Sequence, residues 1–529
     1  MPTLEWIGKE KVINHHLDVP YRVLERAYSY DENGQHQEDN GSENMIIHGD
    51  NLDALKALLP KFEGRIDCIY IDPPYNTGEE NWIYNDNVND PKIQNWLNKV
   101  VGAEGDDLSR HDKWLCMMYP RLKLLHKLLS EDGYIFISIQ FNDEEANLRL
   151  ICNEIFGANN FVGELTWEST TQPINSGSAR FNLQQKVEPI LLYTKNKSQA
   201  KRFVLREIEN GLKYPHDGIL GKCRFEIIEK SDAGSYSRPT MKFQILGQYP
   251  REGKRWQIGE DTARELERLQ KVEIVNGIVK KAVYPEDELD KQSFEPFWSH
   301  LSAKEAGTAQ SGKTLLNEIM GKPMGFDTVK PIELIQILLS HLSKDILVLD
   351  SFGGTGTTAH AVLNLNKQDC GNRKFILVEM MDYAENITSE RVKRVIQGYG
   401  QGEDAVEGIG GNFSYYELGK PLLLSNGNLN EAVGEQRIKE YIWYTETKDL
   451  SPVANKENEP YYLGTSRDNA YYFYYVYDKA TTLDYEFLST IKTKADGYTI
   501  YADICTISEE ELKKWNIVFK KIPRDIAKV

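Results

Sequence analysis

Cysteine is scarce in this chain. There are six in 529 residues, at positions 68, 116, 152, 223, 370 and 505, and no two form a Cys-x-x-Cys pair. Neither a zinc site nor a disulfide framework is indicated, no metal is expected, and the pattern suits a reduced, cytoplasmic protein. Long apolar runs are also missing, so no stretch reaches the length that crosses a bilayer, and no membrane partner is expected. The N-terminus, Met1-Pro2-Thr3-Leu4-Glu5-Trp6, lacks a basic region followed by an apolar one, so a secretory signal is not expected either. Internal repeats are absent. Positive charge is short: 63 Lys and Arg stand against 80 Asp and Glu, a net −17. That balance excludes a passive coat for a polyanion, and any phosphate-contacting surface must be local.

What is present is concentrated in two places. Hydrophobic residues make up 40% of the chain, enough for real cores, and the length suggests about three domains. The apolar run Ile66-Asp67-Cys68-Ile69-Tyr70-Ile71 reads as a short buried strand, ended by Asp72-Pro73-Pro74-Tyr75 and then Asn76-Thr77-Gly78. A carboxylate, two prolines and an aromatic at a strand's end form a rigid, partly polar pocket. It suits a flat heterocycle bearing an amino group. Tyr75 offers a face for stacking. Asp72 and the Pro73 carbonyl can accept the two amine hydrogens, and proline brings no N–H to compete.

The second place is Ile346-Leu347-Val348-Leu349-Asp350-Ser351-Phe352-Gly353-Gly354-Thr355-Gly356-Thr357-Thr358. A strand enters a glycine turn, and a helix from Thr357 to Asn366 is expected beyond it. Gly354 and Gly356 let the backbone approach a ligand. The strand Lys374 to Glu379 follows, and an acid at that position commonly grips ribose hydroxyls. Strand, glycine turn, helix, strand and acid together indicate a nucleoside-bearing cofactor. A rival motif, Gly307-Thr308-Ala309-Gln310-Ser311-Gly312-Lys313-Thr314, fits the P-loop pattern and would make the protein an NTPase using Lys313. Its context opposes that reading, because the preceding Ser302 to Ala306 is too short and polar for a buried strand. Gly312-Lys313-Thr314 is expected instead to start a helix from Leu315 to Met320.

Together the two motifs resemble those of the β-class amino-methyltransferases of DNA, which use S-adenosylmethionine. Within that class the chain is most similar to the modification subunit of type III restriction-modification systems. There the DPPY motif precedes the target-recognition region and FxGxGxT follows it, and here Phe352 comes 280 residues after Asp72. Met45 to Leu52, Ile69 to Gly78, Gly133 to Ile139, Gly325 to Pro331 and Gly371 to Glu379 add matching phrases. The likeness covers about residues 40–197 and 300–400. Gln140 departs from it, where Asp is expected after Ser138-Ile139.

The resemblance implies an α/β fold with a Rossmann-like, mostly parallel seven-stranded sheet, an inserted target-recognition region and a C-terminal α/β domain. It implies methyl transfer to adenine N6 of a base flipped out of double-stranded DNA, with cytosine N4 as the alternative. Asp72 favours adenine, since relatives acting on cytosine tend to have Ser there. Asp72, Pro73, Pro74 and Tyr75 would be catalytic. Phe352, Gly354, Gly356 and Thr357 would line the methionine and sulfonium of the cofactor, with Asp350 and Lys330 at its amino and carboxylate ends. Glu379 would take its ribose and Asp50 its adenine amine, while His48 reads as structural. Cytosine C5 chemistry would need a nucleophilic cysteine, typically in Pro-Cys, and the chain contains no such dipeptide.

The chain divides accordingly. Residues 1–40 read as an N-terminal arm, 41–197 as the catalytic half, 198–300 as the target-recognition region, 301–400 as the cofactor half and 401–529 as an assembly domain. Residues 31–44 read as an exposed loop. Trp114 to Leu129 is apolar at helical spacing, and Tyr134 to Ile139 and Val187 to Tyr193 read as strands. The segment 198–300 looks irregular. Residues 198–281 carry 17 basic against 12 acidic side chains, and Arg238, Lys242, Lys254 and Arg255 are its candidate DNA contacts. From 401 onward 15 basic face 21 acidic residues, and tyrosines alternate with polar residues. That tail suits contacts to a second copy, giving a homodimer, or to a restriction (helicase-nuclease) subunit.

Overall fold

The computed structural model describes residues 3–75, 110–141, 143–172, 183–207, 213–233, 238–288, 294–448, 456 and 458–524. Asn76, Thr77 and Gly78, the extension of the DPPY motif, lie outside the described residues. Two compact units emerge: Met1–Phe203 with Trp298–Val529, and Val204–Phe297.

The first unit is built on one large sheet. In chain order its strands are β1 (Arg22–Asp31), β2 (Gly34–His36), β3 (Met45–His48), β4 (Ile66–Ile71), β5 (Leu129–Ser138), β6 (Phe161–Trp167), β7 (Glu188–Thr194), β8 (His300–Leu301), β9 (Leu347–Asp350), β10 (Lys374–Glu379) and β11 (Phe413–Pro421). Across the sheet they run β8-β6-β7-β5-β4-β9-β10-β3-β11-β1-β2. The stretch from β6 to β3 holds the expected seven strands, and only β7 runs against the rest. Four further strands extend that core: β8 beyond β6, and β11, β1 and β2 beyond β3.

The central strands read as continuous apolar runs, such as Cys68–Ile71 and Tyr134–Ile137, where both faces are covered. Ile47, Ile69, Ile71, Ile135 and Ile137 pack into one core with Leu55, Leu58 and Leu59 of the helix Asn51–Phe62 and Leu122 and Leu125 of the helix Arg110–Leu128. The alternate residues Ile46, Cys68, Phe136, Val348 and Phe375 are equally buried. The helix Thr357–Asp369 packs on β10 and on the helix Ile332–Ser340.

Connections leave β4 and β9 in opposite directions. From β4 the chain passes through the helix Arg110–Leu128 to β5, and from β9 it passes through Thr357–Asp369 to β10. Neighbouring parallel strands whose connections diverge open a crevice at their C-terminal ends. Asp72 just beyond β4, Asp350 at the end of β9, Glu379 at the end of β10 and Asp50 just beyond β3 stand in the order those strands take along that edge.

Several segments differ from expectation for identifiable reasons. Residues 31–44 are not all loop: Asp31 closes β1, Gly34–His36 pairs back on it as a hairpin, and Gly34 takes the left-handed turn position at φ 109°. The boundary at 401 falls before β11, which pairs in parallel with β3, so the central sheet includes part of the expected assembly domain. After it comes a separate four-stranded sheet of Tyr462–Ser466, Asn469–Phe473, Gly497–Ala502 and Ile517–Lys521, with the helix Glu435–Thr447. The segment 198–300 is not irregular. Its unit has an antiparallel sheet of Val272–Val275, Ile278–Val283, Gly221–Ile227 and His216–Gly218, and a core around Trp256, Phe243 and Ile245.

Candidate active site

The apolar run of β4 stops at Asp72 because two prolines follow, and Pro73 and Pro74 are buried where the chain leaves the sheet. The indole N–H of Trp114 donates to the Pro74 carbonyl at 2.7 Å and fixes the turn to the helix Arg110–Leu128. Beside β4, the register Val348↔Cys68 and Leu349↔Ile69 brings the end of β9 level with it. One cleft is therefore lined by Tyr70 and Asp72 from the first motif, Thr328 to Lys330, and Asp350, Phe352 to Thr355, Thr357 and Thr358 from the second.

The glycine turn has strict steric demands. Gly354 and Gly356 have φ of 51° and 80°, the left-handed region that side chains disfavour. A Cβ on Gly356 would stand 3.0 Å from the Thr388 carbonyl oxygen. Asp350 anchors the turn from within: Oδ1 accepts from the Phe352 N–H at 3.0 Å and Oδ2 from the Thr358 hydroxyl at 2.6 Å. Glu379 ties it to β10, accepting from Gly354 N–H at 2.7 Å and Met381 N–H at 2.9 Å. Each carboxylate oxygen keeps acceptor capacity for a ligand hydroxyl or amine. Burial pushes both carboxyls up to about 7. Asp50 caps the helix Asn51–Phe62 through the Leu52 and Asp53 N–H groups and lies 3.6 Å from the buried Arg121 guanidinium. Its neighbour Gly49 donates to the Glu379 carbonyl at 2.9 Å, holding these two acids at adjacent strand ends.

The structure brings together Asp72, Tyr75, Lys330, Asp350, Phe352 and the glycine turn, with Glu379 bonded to that turn. Lys330 is placed differently from the expectation. Its ammonium lies 2.9 Å from Asp72 Oδ2, 3.6 Å from Glu188 Oε2 and 2.6 Å from the Tyr75 hydroxyl oxygen. The Tyr75 hydroxyl lies 2.7 Å from Asp72 Oδ1 and 3.2 Å from Glu188 Oε2, with one hydrogen to give between them. Two carboxylates around one ammonium hold the lysine pKa above its usual value against the opposing effect of burial. Sequence reasoning missed Glu188, which starts β7, and Trp167, whose ring lies 5.6 Å from the Lys330 ammonium. Both sit in ordinary strand sequence, and only the pairing Trp167↔Glu188 brings them side by side.

Lys313 is far from P-loop geometry. The helix runs Ala309–Met320, starting earlier than expected, with Thr308 and Ser311 forming a capping box. Gly312 lies inside it because the helix packs on the Val329 backbone, where a Cβ would meet the carbonyl oxygen at 2.2 Å. The basic candidates of the second unit are partly neutralised. Lys242 and Arg255 both pair with Asp232, at 2.5 and 3.5 Å, while Arg238 is exposed and Lys254 half-buried. Among the described residues no group of three or more His, Cys, Asp or Glu is placed to hold a metal ion, and no helix is long and apolar enough to cross a membrane.

The chain is similar to known proteins over much of its length. The chain is 33% identical to the type III restriction-modification enzyme StyLTI Mod subunit of Salmonella typhimurium, over 66% of this chain and 54% of that protein. It is 31% identical to the EcoPI Mod subunit of Escherichia phage P1, over 71% and 63% respectively. With the type II methyltransferase M.KpnI of Klebsiella pneumoniae it shares 30% identity over 63% of this chain and 80% of the other. The chain thus spans between about a half and two thirds of the length of the type III relatives it matches. Residues 66–390, which hold both motifs and everything between them, match the N6_N4_Mtase family, and the chain belongs to this family of DNA methylases.

Proposed function

We propose that this chain transfers a methyl group from S-adenosylmethionine to N6 of an adenine flipped out of duplex DNA, as the modification component of a type III restriction-modification system. The observation that carries this reading is the single cleft in which Asp72 of the first motif faces the glycine turn of the second. The donor set fits the cofactor. Glu379 and Asp50 stand at adjacent strand ends with acceptors suited to ribose hydroxyls and an adenine amine, and Asp350 offers an acceptor in the cleft suited to an ammonium. The bound cofactor supplies a sulfonium methyl that is already activated.

The protein's own part is then positioning. Adenine N6 is a weak nucleophile because its lone pair is delocalised into the ring. Asp72 and the Pro73 carbonyl accept its two hydrogens, favour a pyramidal nitrogen and release the lone pair toward the methyl. As the N–C bond forms and the C–S bond breaks, N6 becomes cationic, and the Asp72 carboxylate beside it is placed to take the proton. Tyr75 stacks on the extruded ring, an interaction worth about 1–3 kcal/mol, comparable to the unstacking it offsets. The compact insert Val204–Phe297, in which 16 basic residues stand against 17 acidic ones, supplies target recognition through individual basic side chains rather than a net positive charge. The segment after β11 supports contacts to a second copy or to a restriction subunit.

The test is direct. Protein, DNA of varied sequence and methyl-labelled cofactor are incubated, and the DNA is digested to nucleosides. Label is expected in N6-methyladenine. Label confined to N4-methylcytosine, or none at all, refutes the proposal.

A further inference from the structure

We propose that Arg391 is a positioning residue for the cofactor's carboxylate, acting from beneath the glycine turn through the hydroxyl of Thr355. Three arginines are among the largest fully buried side chains of the described structure: Arg121, Arg373 and Arg391. The first two have carboxylates at hand. Arg121 faces Asp50 at 3.6 Å, and Arg373 forms a two-pronged pair with Asp369 at 3.0 Å. The hydrogen bonds of Arg391 go to neutral groups. Nη1 donates to Thr355 Oγ1 and Thr357 Oγ1, each at 2.9 Å, and to the Thr355 carbonyl at 3.4 Å, while Nη2 lies 3.4 Å from His360 Nδ1. Its Nε is buried with no hydrogen-bond partner. Glu333, whose charge acts on it, is itself exposed to solvent. Burial lowers its pKa to about 10, so it stays charged at neutral pH. A buried cation with neutral partners is costly until an anion approaches.

The threonines show where that anion would sit. Both line the cleft. Their oxygens accept from Arg391, which turns their hydrogens away from it. The Thr357 hydrogen goes to the Lys330 carbonyl at 3.2 Å. The Thr355 hydroxyl has only Thr357 Oγ1, 3.4 Å away, as a side-chain alternative to the cleft. It is thus a donor backed by a guanidinium. Lys330, the other cation of the cleft, is already engaged by Asp72 and Glu188. The helical turn Ala384–Ser389, which runs directly into the helix Glu390–Gln397 carrying Arg391, is itself fastened to the glycine turn, because Thr388 donates to the Gly354 carbonyl at 2.5 Å.

The inference rests on reading the cleft as an S-adenosylmethionine site, and two ligands separate the two claims. S-adenosylhomocysteine carries the amino-acid end, and methylthioadenosine lacks it. Calorimetric titration of the full chain is expected to show both binding to the wild type. Arg391→Gln should weaken S-adenosylhomocysteine about tenfold or more, the size of a lost charged hydrogen bond, and methylthioadenosine less than about threefold. Thr355→Val should show the same selectivity, and it decides the matter if Arg391→Gln does not fold. Arg391→Lys should recover part of the loss. Equal losses for both ligands, or no loss, overturn the assignment alone, as does a selective loss found in Lys330→Met in place of Arg391→Gln. A wild type that binds neither ligand overturns the cofactor reading and the assignment with it.

Discussion

Asp72 is legible in the sequence, but its surroundings are not. Its dipeptide neighbours mark it as a pocket residue, whereas the ammonium that holds it, and the second carboxylate that shares that ammonium, come from Lys330 and Glu188, more than 100 residues away. Asp72→Ala should lower single-turnover methylation by roughly a hundredfold or more while cofactor affinity stays within about threefold, because the lost acceptor matters when nitrogen develops charge. The Tyr75 hydroxyl is engaged as well as its face. Tyr75→Phe should cost about three- to tenfold, and Tyr75→Ala more, with part of the Ala loss recovered on a duplex carrying a mismatch at the target base. Near-normal turnover in Asp72→Ala would move the chemistry elsewhere. Glu379 makes a prediction in pH. Its native pKa of about 7 lies above the usual 4.5, so between those values the native state holds protons the unfolded chain has released. Stability in the empty protein should therefore fall as pH rises from about 4.5 to 7 and level off above. In the proposed role of Glu379, cofactor binding takes the ionised carboxylate and should tighten across the same upper range, by about fivefold from pH 6 to 7 for this group alone. Glu379→Gln should make both curves shallower in thermal melts and titration calorimetry, and the part that remains is the share of Asp350, which titrates over the same range.

Elements were legible where local pattern and tertiary role agree. The strands Met45–His48, Ile66–Ile71 and Lys374–Glu379 are where apolar runs end in polar turns, and burial on both faces leaves no competing periodicity. The insert 204–297 was opaque because its strands are short and half-exposed, with charged residues on the open face, so no period of two stands out. The helix Ala309–Met320 began early because Thr308 is a better cap than the interior Gly312, and the P-loop pattern was a coincidence of spacing. Gly312 is required for close approach to the Val329 backbone. Gly312→Ala should destabilise the protein by about 1–3 kcal/mol in urea unfolding. Lys313→Ala should leave methylation intact, and purified protein should hydrolyse no ATP.

At the scale of the whole molecule, the chain leaves the first unit at Phe203 and returns at Trp298, so the insert is a module added to a sheet rather than part of it. Replacing 204–297 by a short Gly/Ser linker should preserve S-adenosylhomocysteine binding and abolish methylation of the specific site, with retained site-specific activity assigning recognition elsewhere. Truncation at 401 would remove β11 from the central sheet, so oligomer assembly is better tested by ending the chain after Pro421 and measuring mass by light scattering. The adjacency of β4 and β9 also has a consequence for biosynthesis. The Leu347 N–H donates to the Asp67 carboxylate across 280 residues of sequence, beside the β4–β9 pairing. At about 5–20 residues per second, a ribosome needs roughly 15–60 s to make the intervening chain. For that time the emerging β4 waits with one hydrogen-bonding edge unpaired, an invitation to neighbouring nascent chains on the same message. The cleft between the two motifs thus forms only after most of the chain has been made, and a chain released early would carry the DPPY motif without the glycine turn that faces it.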